Sequence, residues 1–106
     1  MSKKSIVTLR ARSVRFLSRH DEAAFFHWLR AIEEFASVRG DGDAIVIDVE
    51  KDKIGADALR ELIALFHRYD IEMRQLRAFE TRSNKSWLAN ERAYWHGVMY
   101  EPVPTV

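Results

Sequence analysis

The spacing of apolar residues along the 106-residue chain predicts a regular succession of strands and helices. Residues 5–12 alternate apolar and polar positions, which is typical of a strand with one buried face. Residues 44–49 form a continuous apolar run, which is typical of a central strand covered on both faces. A third strand is predicted over residues 72–80. The alternation after residue 12 changes register, which indicates a turn or bulge near Ser13.

Three stretches carry the helical spacing instead. Ser18 and Asp21 resemble a capping box, which predicts a helix over residues 19–38 that ends before two glycines. A second helix is predicted over residues 56–69, and a third over the aromatic segment 86–96. The residues expected to form the buried faces of the first two helices are Phe25, Trp28, Leu29, Ile32, Leu59, Leu62, Ile63 and Phe66.

The order of these elements is βαβαβ followed by a helix, and connections of this kind usually join parallel neighbours. The sequence therefore predicts an α/β fold. We expect a small three- to four-stranded sheet, mainly parallel or mixed, with two main helices and a C-terminal aromatic helix. The length is that of one domain, so we expect a single domain over residues 1–106.

Charge is distributed unevenly although the net charge is only +1. Residues 1–20 carry six basic side chains and no acid, whereas residues 21–57 carry ten acids and four bases. One interpretation is an ordinary solvated surface, and the other is a bipolar surface that steers a charged partner. The acids interrupt any continuous phosphate-binding track, so the distribution does not favour nucleic acid as a partner.

Cysteine is absent, which excludes disulfides, thiolate metal sites and cysteine nucleophiles. The absence fits a reducing compartment. The basic N-terminal residues are not followed by the apolar stretch of a secretory signal, and no apolar run has membrane-spanning length. We therefore expect a cytoplasmic protein with no membrane partner.

Candidate chemistry is sparse. The four histidines lack metal-site spacing, and no serine lies in a nucleophile elbow. Asp48, Glu50 and Asp52 recur at period two near the end of a predicted strand, where an active site or a divalent-metal site could form. Solvated acids, interleaved with lysines, are the simpler interpretation. We predict no catalytic residue, no metal ligand, no cofactor and no enzymatic activity.

The C-terminal segment is rich in aromatic residues, with Trp87, Tyr94, Trp95 and Tyr100 within fourteen positions. A single helical stripe cannot bury all of them, so we expect part of this aromatic area at the surface. Tyrosine, tryptophan and arginine dominate the energetic centres of protein interfaces. The segment is therefore a candidate partner-binding region.

Residues 76–79 (LRAF), 84–88 (NKSWL), 90–96 (NERAYWH) and 99–100 (MY) together resemble the C-terminal end of small bacterial immunity proteins. These proteins belong to contact-dependent growth inhibition and related polymorphic toxin systems. The resemblance implies a toxin inhibitor that binds a cognate protein toxin, commonly a nuclease, in the cytoplasm. If that nuclease is basic, the acids of the 41–57 stretch are the expected contacts, namely Asp41, Asp43, Glu50, Asp52 and Asp57. The expected aromatic contacts are Tyr94, Trp95 and Tyr100.

A second resemblance leads to an alternative function. Residues 45–48, 58–68 and 76 are similar to the strand–helix–strand core of STAS domains, the anti-sigma-factor antagonists. That family has a phosphorylatable serine at the start of the helix. Here the helix begins Gly55-Ala56-Asp57-Ala58 and has no hydroxyl. The alternative is therefore a STAS-like regulatory module that binds protein without a phosphorylation switch.

Overall fold

A computed structural model describes residues 5–32 and 35–101. Three strands, β1 (Ile6–Arg12), β2 (Phe35–Asp41) and β3 (Ala44–Glu50), form one sheet in the order β1-β3-β2. Helices accompany the sheet, so the α/β class is confirmed. The central position predicted for residues 44–49 is also confirmed.

The predicted parallel or mixed arrangement is wrong, because both neighbouring pairs in this sheet are antiparallel. β1 and β2 run in the same direction, but β3 lies between them. The prediction joined residues 5–12 and 44–49 through the first helix alone, which would make these two strands parallel neighbours. They are neighbours, but the unpredicted strand β2 precedes β3 in a hairpin and reverses the chain direction, so β1 and β3 pair antiparallel.

The first helix is shorter than predicted. α1 (Arg19–Arg30) ends eight residues before Val38, and β2 occupies the segment that was expected to continue the helix. Residues 33–34 of the predicted helix lie outside the described part of the chain. The glycines at 40 and 42 were interpreted as a helix stop, whereas they serve a hairpin that pairs β2 with the apolar strand β3.

The hairpin depends on Gly42. Asp41 pairs with Ala44, so Gly42 and Asp43 form a two-residue loop. Gly42 has a φ of 62°, and a positive φ at the first central position is typical of type II′ turns with glycine there.

We expect Gly42→Ala to lower the free energy of unfolding by about 1 kcal/mol, because a side chain at positive φ strains the backbone. Gly40→Ala is the matched control: a Cβ at either glycine meets no atom within 4 Å, but the φ of Gly40 is not positive. Chemical denaturation of both variants measures the difference. Equal stabilities would contradict the assignment of a strained turn.

Local signals at the start of α1 are confirmed. The backbone N–H of Asp21 donates to Ser18 Oγ at 3.1 Å, as in the predicted capping box. The Asp21 carboxylate accepts from the N–H of Leu17 at 2.8 Å, one residue before the expected donor. Ser13 has a φ of 52° directly after β1, which confirms a local break at that residue.

The core lies between one face of the sheet and the helices. α2 (Ala56–Arg68) matches its predicted extent, and its predicted apolar face is buried. The predicted α1 residues Phe25, Leu29 and Ile32 are buried, and Trp28 is half-buried. On the sheet, the core face carries Leu9, Ala11, Ile47 and Val49. Within the described residues, no helix combines the length and the apolar composition needed to cross a bilayer.

The strand predicted over residues 72–80 is wrong, because Arg74–Phe79 is a 3₁₀ helix. Leu76 and Phe79 are buried at helical spacing. One side chain of this segment satisfies backbone groups on the unpaired edge of β1. The Gln75 side-chain amide accepts from the backbone N–H of Arg10 at 2.8 Å and donates to the backbone carbonyl of Arg10 at 2.9 Å. The third strand required by the STAS-like alternative is therefore not present at Leu76.

The predicted helix over residues 86–96 is also wrong. Two short helices, α3 (Lys85–Leu88) and α4 (His96–Tyr100), lie on either side of a turn. The Asn90 side chain accepts from the N–H of Arg92 at 2.8 Å, an Asx turn that competes with helix continuation. The Trp95 indole N–H donates to the carbonyl of Leu88 at 2.7 Å and holds the turn closed.

Candidate protein-binding site

The five acids predicted to contact a partner lie at two ends of the sheet. Asp41 and Asp43 lie at the hairpin between β2 and β3, whereas Glu50 ends β3. Asp52 lies in a 3₁₀ helix over Lys51–Lys53, and Asp57 lies in the first turn of α2. The two groups lie at opposite ends of the seven-residue strand β3, about 20 Å apart at about 3.3 Å per residue. The acids therefore do not form one patch.

Asp41 and Asp43 at the hairpin also differ from Asp57 in how strongly their carboxylates are bound by other side chains of the protein. Asp41 accepts from the Arg10 guanidinium at 3.1 Å, and Asp43 accepts from the Ser13 hydroxyl at 3.0 Å. Asp57 is fully exposed, and its contact with Arg60 is long, at 3.9 Å. Asp57 therefore has little internal pairing to give up on contact with a cationic partner, in contrast to Asp41 and Asp43.

Asp48 has a structural role within the sheet. Its carboxylate accepts from Thr8 of β1 at 2.8 Å, and from Ser37 and Arg39 of β2 at 2.9 and 2.7 Å. Burial by itself raises the pKa of Asp48, but these three hydrogen bonds together lower it below its ordinary value. In residues 5–32 and 35–101, no three histidine or acidic side chains converge as metal ligands.

Side chains of α2 and of the C-terminal segment contact one another in a continuous row of four aromatic rings and one guanidinium, and we call this row the aromatic strip. The Arg60 guanidinium lies 4.4 Å from the centroid of the Trp87 ring. Trp87 packs edge-on against Trp95 at 6.2 Å, and Trp95 packs against Tyr94 at 4.9 Å. Tyr94 meets His67 at 4.9 Å. The strip therefore consists of Arg60, Trp87, Trp95, Tyr94 and His67.

The strip is partly open to solvent. Tyr94 is 57% exposed, and Val98, close to it in sequence, is 50% exposed. Trp87 and Trp95 are half-buried, and Trp95 is fixed by its hydrogen bond to Leu88. Burial and the nearby Glu61 carboxylate raise the pKa of Tyr94 above its ordinary value. Rigid aromatic rings with one free face suit protein recognition, because little rotamer entropy is lost on contact.

Tyr100, the last predicted partner residue, is not part of the strip. Its hydroxyl donates to Glu80 Oε1 at 2.7 Å, and its ring stacks on His96 at 5.6 Å. Burial, together with the Glu80 carboxylate, raises the pKa of Tyr100 well above its usual range. Its main contacts are therefore within the fold.

Sequence reasoning identified Tyr94 and Trp95 but not the two α2 residues of the strip. Arg60 and His67 are seven positions apart, on one exposed side of α2 next to its buried stripe. That spacing was visible in the sequence. Their pairing with Trp87 and Tyr94 was not, because it joins segments about thirty residues apart that only tertiary packing brings together.

Comparison of the chain with protein-family models, with curated proteins and with solved structures found no significant match.

Proposed function

We propose that this protein is an immunity protein, which binds a cognate bacterial toxin domain and blocks its activity. The observation that carries the proposal is the aromatic strip, with an exposed tyrosine, two half-buried tryptophans and an arginine in mutual contact. This composition is that of an interface centre. The resemblance of the C-terminal segment to immunity proteins is the reason for proposing a protein toxin as the partner.

The positions of the acids favour a contact surface at one end of the sheet. Asp57 lies beside Arg60, and Asp52 lies in the segment that leads into α2, so both acids are at the strip's end of the sheet. Asp41 and Asp43 lie at the other end and are already engaged. We propose that Tyr94, Trp95 and Arg60 contact the toxin, with Asp57 and Asp52 at the rim facing a basic nuclease surface.

The direct test is protection from the toxin. The immunity function requires a toxin gene immediately upstream of this gene, and a neighbourhood without one would count against it. The toxin domain of that gene is expressed in a sensitive host with and without this chain. We expect growth only when the chain is present, and a stable complex of the two purified proteins. A chain that neither protects the host nor binds that domain would refute the immunity function.

We expect Tyr94→Ala to weaken binding of that domain about tenfold, or about 1.4 kcal/mol, because it removes a ring of the strip that is 57% exposed. Calorimetric titration of the purified proteins measures the change. Ile6→Ala is the control, since Ile6 is 44% exposed and lies on the face of β1 opposite the core residues Leu9 and Ala11, so it points away from α2, which carries Arg60 and His67. Wild-type affinity of the Tyr94 variant would exclude the strip as the contact surface.

A further inference from the structure

Residues 86–96 have the apolar spacing of one helix, but the chain folds them into the end of α3, a turn and the start of α4. In a continuous helix, the N–H of Arg92 would donate to the carbonyl of Leu88, four residues earlier. Both groups have other partners in the structure. The Arg92 N–H donates to the Asn90 side chain at 2.8 Å, and the Leu88 carbonyl accepts from the Trp95 indole N–H at 2.7 Å. The helical and the turned conformation therefore differ by an exchange of hydrogen-bond partners.

Asn90 makes this exchange possible. Its side-chain oxygen accepts from the N–H of Arg92, and its backbone carbonyl accepts from the N–H of Ala93 at 3.0 Å. Asparagine is a poor helix former because its side chain competes in this way for nearby backbone groups. By accepting from Arg92, Asn90 leaves the Leu88 carbonyl free to bind Trp95.

The turn also decides whether the aromatic strip exists. Trp87 and Trp95 are eight residues apart, which in a continuous helix is about 12 Å along the axis, at about 1.5 Å per residue. In the structure their ring centroids are only 6.2 Å apart. Tyr94 packs on Trp95 and on His67, both at 4.9 Å. A continuous helix would separate Trp95 from Trp87, so the strip requires the turn.

The Asn90 side chain takes no part in the core. Asn90 is exposed, and its bond to Arg92 is the one hydrogen bond of its side chain within residues 5–32 and 35–101. A substitution at this position therefore acts through the turn and not through lost packing.

We propose that Asn90 is the positioning residue of the aromatic strip. Its side chain holds residues 87–95 in the turned conformation, in which Trp95 and Tyr94 complete the strip, against a helical conformation in which the strip does not form. A partner then meets the rings already assembled, which reduces the conformational entropy lost on binding.

Hydrogen exchange of the indole N–H groups, followed by NMR on the full chain, measures how often the turn opens. We expect Asn90→Ala to accelerate exchange of the Trp95 indole N–H about tenfold, because the turn loses a hydrogen bond and alanine favours the helix. The Trp28 indole N–H, which donates to Glu61 at 2.8 Å, is the internal control and should exchange at its wild-type rate.

Two further variants separate the role of the side chain from a general effect of substitution. Asn90→Asp keeps the side-chain acceptor and should exchange as the wild type does. Glu91→Ala is the matched control, because Glu91 is exposed and its side chain has no hydrogen bond or ion pair in the described part of the chain. The Cα chemical shifts of residues 89–95 should move towards helical values in Asn90→Ala and stay in place in Glu91→Ala.

Unchanged exchange at Trp95 in Asn90→Ala would overturn the proposal. So would equal acceleration in Glu91→Ala or at Trp28, a failure of Asn90→Asp to match the wild type, or chemical shifts that move away from helical values. All of these measurements use the chain alone, so the inference does not rest on the immunity function. A failure here and a failure of toxin protection are therefore distinguishable.

Discussion

Replacing Phe25 with alanine is expected to lower the free energy of unfolding by about 3–5 kcal/mol, the largest effect predicted for this protein. Phe25 is fully buried, and its ring meets those of Phe16, Phe26 and Tyr69 at 5.4, 5.1 and 5.0 Å. Truncation removes the shared centre of this cluster and leaves a cavity that its neighbours fill only in part. Small domains are stable by about 5–15 kcal/mol, so the variant should be at the margin of folding.

Urea denaturation measures the change, and Phe26→Ala provides the comparison. Phe26 belongs to the same cluster but is half-buried, so its truncation should have a clearly smaller effect. Equal effects at the two positions would show that burial of Phe25 does not set the stability of this region.

Asp48→Asn is expected to lower the free energy of unfolding by about 1.5–3 kcal/mol at neutral pH, because hydrogen bonds to a charged group are lost. The carboxylate joins all three strands through Thr8, Ser37 and Arg39. Its side chain is only 16% exposed, so its charge is well sheltered. Asp41→Asn is the control, since Asp41 is 65% exposed and such pairs contribute at most about 1 kcal/mol.

The pH dependence of stability provides a second measurement. The pKa of Asp48 is lower in the folded chain than in the unfolded chain, where it is about 3.9. Its contribution is therefore fully present above that value, and it is lost as the pH falls towards the folded pKa. The stability difference between wild type and Asp48→Asn should shrink in this acidic window. A difference independent of pH would contradict the role given to the charge.

The candidate site was only partly predictable. Tyr94 and Trp95 could be recognised because too many aromatic residues follow one another to fit one buried stripe. The acids looked like one group because they are close in sequence, yet β3 carries Asp41 and Asp57 to opposite ends of the sheet. The contact of Trp95 with Trp87 depends on the turn at Asn90, which breaks the expected helix and folds Trp95 back onto α3.

The sequence by itself determined the elements whose signals are local. Residue spacing over a few neighbouring positions was enough to predict the helix α2 and the capping box before α1. It also predicted the strands β1 and β3 and most of the core. The tertiary structure alone decided that residues 35–41 are a strand, that the sheet is antiparallel and that residues 74–79 form a 3₁₀ helix. The reason is physical: pairing with β3 and the Gln75 bonds to Arg10 supply interactions between distant residues, which outweigh weak local preference.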